Sequence, residues 1–203
     1  MEKITVSIHI PKTGGTSLGK MFLETFPGKT LLVYQHQKAG LFGVSRDTGT
    51  IEDEIRTGEA HRFDYIMYMA YRDGITHIHG NIPIEYLVPY FDRVRLVTFV
   101  REPKERTHSQ YCHEKKNGYD GSDVWFYRKH GDDMFKYTHG QWHLFDFIGR
   151  FETFGEDIKK LGITHEIHVN KGDRKEDVSN PEWLERYTLV DQDIYSELNN
   201  MVK

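Results

Sequence analysis

Cysteine is almost missing from this chain of 203 residues: Cys112 stands alone. No internal disulfide can form, and no cysteine cage for zinc is available. Long apolar runs are missing too. The N-terminal stretch MEKITVSIHI is broken by Ser7 and His9, far short of the roughly 20 residues a membrane helix needs. It also lacks a signal-peptide cleavage pattern, so the expectation is a cytoplasmic protein with no membrane span. Positive charge is not in excess, with 27 Lys and Arg against 31 Asp and Glu. That balance argues against a nucleic-acid partner, while a small anion can still be held in a locally basic pocket. There is no internal repeat, low-complexity tract or Pro/Gly/Ser-rich linker. A content of 37% hydrophobic and 29% charged residues is that of a globular protein, and the length suits one domain over 1–203.

Strand-like runs, β-branched or aromatic and bounded by Gly, Pro or polar residues, fall at 4–10, 29–34, 76–80, 94–100 and 165–170. Helix-like stretches lie at 16–26, 84–91, 103–116, 151–161, 181–187 and 190–201, with Pro103 and Pro181 placed as first-turn prolines. Strands alternating with helices predict an α/β domain whose parallel sheet is covered on both faces. In such sheets ligands bind beyond the carboxyl ends of the strands. Two regions read less clearly, 35–75 and 117–145, apart from a helix-like DYIMYMAYRDG in the first. Inserts of this kind beside a ligand edge are expected to build an acceptor pocket.

The strand at 4–10 runs directly into Pro11-Lys12-Thr13-Gly14-Gly15-Thr16-Ser17, and a helix follows. Glycines let successive N–H groups turn toward one anion, and the helix N-terminus adds unsatisfied donors. Lys12 supplies an ammonium, and Thr16 and Ser17 supply hydroxyls. This is not the nucleotide loop of an ordinary ATPase, in which the lysine follows the glycines as Gly-Lys-[Ser/Thr]. A second motif, Val100-Arg101-Glu102-Pro103-Lys104-Glu105-Arg106-Thr107-His108-Ser109-Gln110-Tyr111, also joins a strand end to a helix. The guanidinium fork of Arg101 suits phosphate oxygens, and Arg106, Ser109 and His113 recur on one helical face. Arg101 and Ser109 are thus candidates to hold a second phosphate.

Together the two motifs resemble the nucleotide-binding signatures of the sulfotransferases, in particular the carbohydrate type that includes heparan sulfate 2-O-sulfotransferase. The matching residues are Lys12, Thr13, Gly14, Gly15, Thr16 and Ser17, then Arg101 and Ser109. Ile148 to Glu152 and Tyr187 to Tyr195 look like later landmarks of that family. The resemblance implies a P-loop-NTPase-like three-layer fold with a central parallel sheet. It also implies 3′-phosphoadenosine 5′-phosphosulfate (PAPS) as donor, a glycan or other small hydroxyl acceptor, and no required metal. Lys12 and the loop would bind the phosphosulfate, while Arg101 and Ser109 would bind the 3′-phosphate.

Sulfuryl transfer asks for charge stabilisation at the leaving phosphate, which Lys12 is placed to supply, and for a base at the acceptor hydroxyl. His77-Ile78-His79-Gly80-Asn81 closes a strand. The resembled enzymes often read His-Gly-His here, and the position of their base holds Asn81 in this chain. An amide cannot act as a general base. The candidate base is therefore His79, with His77, His36 and Glu85 in reserve. A metal at His77-x-His79 and a Cys112–His113 nucleophilic pair are the less favoured readings of those residues. Trp125, Phe126, Tyr127, Trp142 and Phe145 are candidates to stack on sugar faces. Two competing functions stay open on sequence alone: a small-molecule kinase using Mg-ATP, and a nucleotide-binding module without catalysis.

Overall fold

A computed structural model describes residues 3–35, 41–47, 53–56, 62–165 and 181–201. The expected strand at 165–170, apart from His165, lies outside these residues, as do His36 and the late basic loop Lys171 to Arg174. At the centre of the parallel part of the sheet is β1 (Ile4–Ile8), flanked by β5 (His77–Gly80) and β6 (Val94–Val100). Also parallel are β2 (Thr30–Gln35) beside β5 and β7 (Phe147–Arg150) beside β6. Past β2 the sheet turns antiparallel through β3 (Leu41–Ser45) and β4 (Asp53–Arg56). The order is β4-β3-β2-β5-β1-β6-β7. The result is a three-layer α/β domain with a mainly parallel sheet.

Alternation along the strands separates the two faces. Val97 and Phe99 join Leu18, Met21 and Phe22 of α1 (Gly15–Thr25) and Phe154 of α6 (Phe154–Asp157). On the other face Val6, Ile78 and Leu96 pack against Ile66, Met67 and Ala70 of α2 (Arg62–Arg72). Each large side chain buried in this way stabilises the fold by about 1.5–3 kcal/mol. Between residues 84 and 90 the expected helix is a 3-10 helix containing Pro89. Proline has no N–H to give an α-helical ladder, which accounts for the tighter winding. Over Pro103–Lys116 α3 forms as expected, with Pro103 at its start and the Glu102 carboxylate accepting from the Glu105 amide at 2.7 Å.

The 117–145 insert is more regular than its sequence suggests. It folds into α4 (Asp123–His130) and α5 (Asp133–Thr138). Met134 of α5 closes over Ile10 and Val100, at the carboxyl ends of the central strands, together with Ile194 and Leu198 of α8 (Leu189–Met201). Ahead of α8, α7 (Pro181–Tyr187) completes the helices. Among the described residues no helix is long and apolar enough to cross a membrane.

Candidate active site

Beyond the end of β1 the chain climbs through Lys12 and Gly14 into α1. Both residues have left-handed backbone, at φ 66° and 87°. The conformation is easy for glycine and costs a lysine of order 1–3 kcal/mol, the sort of strain found at ligand sites. Gly15 has no room for a side chain, since a Cβ there would lie 1.9 Å from the His9 ring, whereas one at Gly14 would press on Phe154 at 3.0 Å from a backbone that already favours glycine. The Thr13 hydroxyl is spent on the loop itself, donating to the Ile10 carbonyl at 2.8 Å. Thr16 is exposed at the start of α1, while Ser17 is buried.

Arg101 stands at the end of β6 and comes to the same loop. Its Nη1 donates to the Lys12 carbonyl at 3.4 Å, its Nη2 lies 3.4 Å from Glu105, and its guanidinium sits 4.5 Å above the Phe151 ring. Burial, then the nearby Arg101 charge, holds the Lys12 ammonium below its ordinary pKa. Two cations brought together in a partly desolvated place are the electrostatic form of an anion site. Ser109 lies half-buried two turns into α3. Arg106, which shares its sequence face, turns fully inward instead, 3.1 Å from Asp133 and 3.5 Å from Asp191. Phe151 belongs to the Ile148 to Glu152 landmark, but that its ring lies under Arg101 could not be read from the sequence.

The histidines sort differently from their sequence order. His79 is fully buried between the sheet and α1, sharing a 3.0 Å hydrogen bond with Ser7 and stacking on His9 at 5.3 Å. Its other side meets Gly15 and Gly19, and burial holds its pKa well below 6.5. A ring with no exposed surface gives an acceptor hydroxyl no approach, which counts against the base expected there. His77 stacks on Phe26 at 3.9 Å and is lowered to about 4 by burial. Asn81 straps the β5 end to the loop, its Nδ2 donating to the His9 carbonyl at 2.7 Å. Cys112 pairs with His108, at 3.6 Å, rather than with His113. Of the aromatics, Phe126, Tyr127 and Trp142 are core residues, whereas Trp125 is exposed and carries Lys129 5.0 Å over its ring.

Solved structures share this architecture. A sulfotransferase from Alicyclobacillus acidocaldarius superposes with a TM-score of 0.52 at 13% identity, over 98% of this chain and 96% of the other. The chain has the sulfotransferase fold. Mouse sulfotransferase SULT7A1, solved in complex with PAP, superposes at 0.50 and 13% identity, over 97% of this chain and 83% of that one. No family model matches the sequence, and no curated protein matches it either. At such identity the likeness concerns the fold, and the chemistry has to be argued from the residues. The strand-end loop with Lys12, and Arg101 facing it, gathers positive charge suited to an anionic ligand.

Proposed function

We propose that the chain is a sulfotransferase of the carbohydrate type, moving a sulfuryl group from PAPS to a hydroxyl of a glycan or other polar acceptor. The observation that carries the proposal is the convergence of Lys12, in strained backbone, and Arg101 on one loop at the ends of the two central strands. Support also comes from a fold shared with sulfotransferases, one of them solved with PAP. In this reading the amides of Gly14 to Ser17 and the Thr16 hydroxyl hold the phosphosulfate, and Arg101 with Ser109 holds the 3′-phosphate. Thr13 keeps the loop in shape. As the bridging S–O bond breaks, charge gathers on the 5′-phosphate beside Lys12, and a preorganised donor there lowers the barrier by about 3 kcal/mol. Trp125 offers an exposed ring face for a sugar. The loop after β1 carries no Gly-Lys-[Ser/Thr] to arrange Mg-ATP, and the triplet Gly28-Lys29-Thr30 leads into β2 and not into a helix, so the kinase alternative lacks its lysine.

The test is calorimetric titration with adenosine 3′,5′-bisphosphate and, separately, with ADP or ATP plus magnesium. Metal-independent binding of the bisphosphate is expected, weakened roughly 10–100-fold by Arg101→Ala, the range for a lost charged hydrogen bond. Lys12→Ala should lower transfer from PAPS by ~100-fold. Magnesium-dependent ATP binding that ignores the 3′-phosphate would overturn the proposal.

A further inference from the structure

In the proposed donor site Arg101 meets the 3′-phosphate, yet an arginine at a strand end can point its guanidinium in many directions. Two neighbours limit it here. The Glu105 carboxylate, four residues on, lies 3.4 Å away, with its side chain 54% exposed. The Phe151 ring lies 4.5 Å beneath the guanidinium, whose side chain is only 8% exposed. Solvent screens the first contact, and Glu105 takes a donor that a phosphate could use. A ring face beside a desolvated cation is screened less and consumes none of its N–H donors.

Phe151 is itself fixed against both Arg101 and the loop after β1. Its N–H donates to the Val100 carbonyl at 2.8 Å, and the Glu152 carboxylate accepts from the Glu102 amide at 2.9 Å. The end of β7 is thus stapled to the two residues that flank Arg101. The ring packs on Phe154 at 6.3 Å between centroids, and a Cβ at Gly14 would lie 3.3 Å from it. Gly14 is one of the left-handed residues of the loop, at φ 87°. One ring therefore lies against the loop glycine and the guanidinium together, and its size sets how they stand to each other.

We infer that Phe151 is a positioning residue, holding the Arg101 guanidinium to the loop after β1 and so giving the site its preference for nucleotides that carry a 3′-phosphate. In this role Phe151 acts through Arg101. The ring restricts the guanidinium before the ligand arrives, so less rotamer freedom is lost on binding. The N–H fork stays available for the phosphate oxygens. The 5′-phosphate, held by the loop amides and Lys12, gains nothing from this arrangement, and the effect is confined to ligands with the second phosphate.

The inference rests on the sulfotransferase reading, so the experiment compares two ligands. Calorimetry gives the affinities for adenosine 3′,5′-bisphosphate and for adenosine 5′-monophosphate, and their ratio measures the 3′-phosphate preference. Phe151→Leu is expected to lower that ratio roughly 5–30-fold, the worth of a desolvated cation–ring contact, with Phe151→Tyr and Phe151→Trp keeping most of it. Singly, doubly and triply fluorinated phenylalanines at position 151 withdraw electrons from the ring face at nearly constant size. Bisphosphate affinity should fall stepwise along this series, while monophosphate affinity stays within about twofold. In Arg101→Ala the same series should have no effect. A flat series in the wild-type background would overturn the inference, since the ring would then only fill space. So would equal losses for both ligands. Wild-type protein that binds the bisphosphate no better than the monophosphate would instead remove the donor reading, and the inference with it.

Discussion

Gly15 shows how far a single hydrogen atom controls the loop after β1. A methyl in its place would lie 1.9 Å from the His9 ring. That ring cannot retreat, because His79 is stacked behind it and Tyr34 stands edge-on at 6.3 Å. Gly15→Ala is therefore expected to destabilise the protein by about 1–3 kcal/mol, as overpacking does. The penalty should shrink in a His9→Ala background, giving a coupling of about 1 kcal/mol in a double-mutant cycle read by urea unfolding. Strict additivity would show that the clash is not with His9. The sequence marks Gly14 and Gly15 as an anion loop through their place between strand and helix. It cannot show that the second glycine is also required by a histidine six residues earlier.

Elements join through groups whose partners are far away in the chain, and here the sequence is least legible. The strand ends carrying Lys12 and Arg101 can be read because apolar runs, glycines and the Pro103 start are local signals. The antiparallel strands β3 and β4, the edge strand β7 and the helices α4 and α5 are stabilised by what they pack on, so local pattern underdetermines them. Arg106 is the sharpest case. By spacing it shares a face with Ser109, yet it is fully buried, with Asp133 and Asp191 holding its guanidinium. Asp191 also accepts from the amides of Met134 and Phe135, so one carboxylate joins α3, α5 and α8. Breaking this network leaves an uncompensated buried charge. Asp191→Ala and Arg106→Met are each expected to cost about 3–5 kcal/mol, measured by denaturant unfolding. Replacing Arg106 and Asp191 together should cost less than the sum. A loss below about 1 kcal/mol in either single variant would mean that water enters the site.

Across the whole molecule, the layer between the sheet and α1 has an acid limit built into it. His9 and His77 are lowered to about 4 by burial, and His79 is held well below 6.5 by the same cause. The folded pKa of each ring lies below its unfolded value, so the unfolded chain takes up protons first as pH falls. Their contribution is complete above about pH 6.5 and is lost as pH drops through the folded values. Each ring left unprotonated in the fold removes about 1.4 kcal/mol per pH unit within that window. Carboxylates also lose favourable partners in acid, and the histidine share has to be isolated by substitution. In His9→Gln, stability should fall less steeply from pH 6.5 to 4 than in wild type, by close to one proton's slope in urea unfolding. Equal slopes would place the acid sensitivity elsewhere. A smaller slope, with bisphosphate binding failing over the same range, would tie donor binding to the neutrality of the layer on which the loop rests.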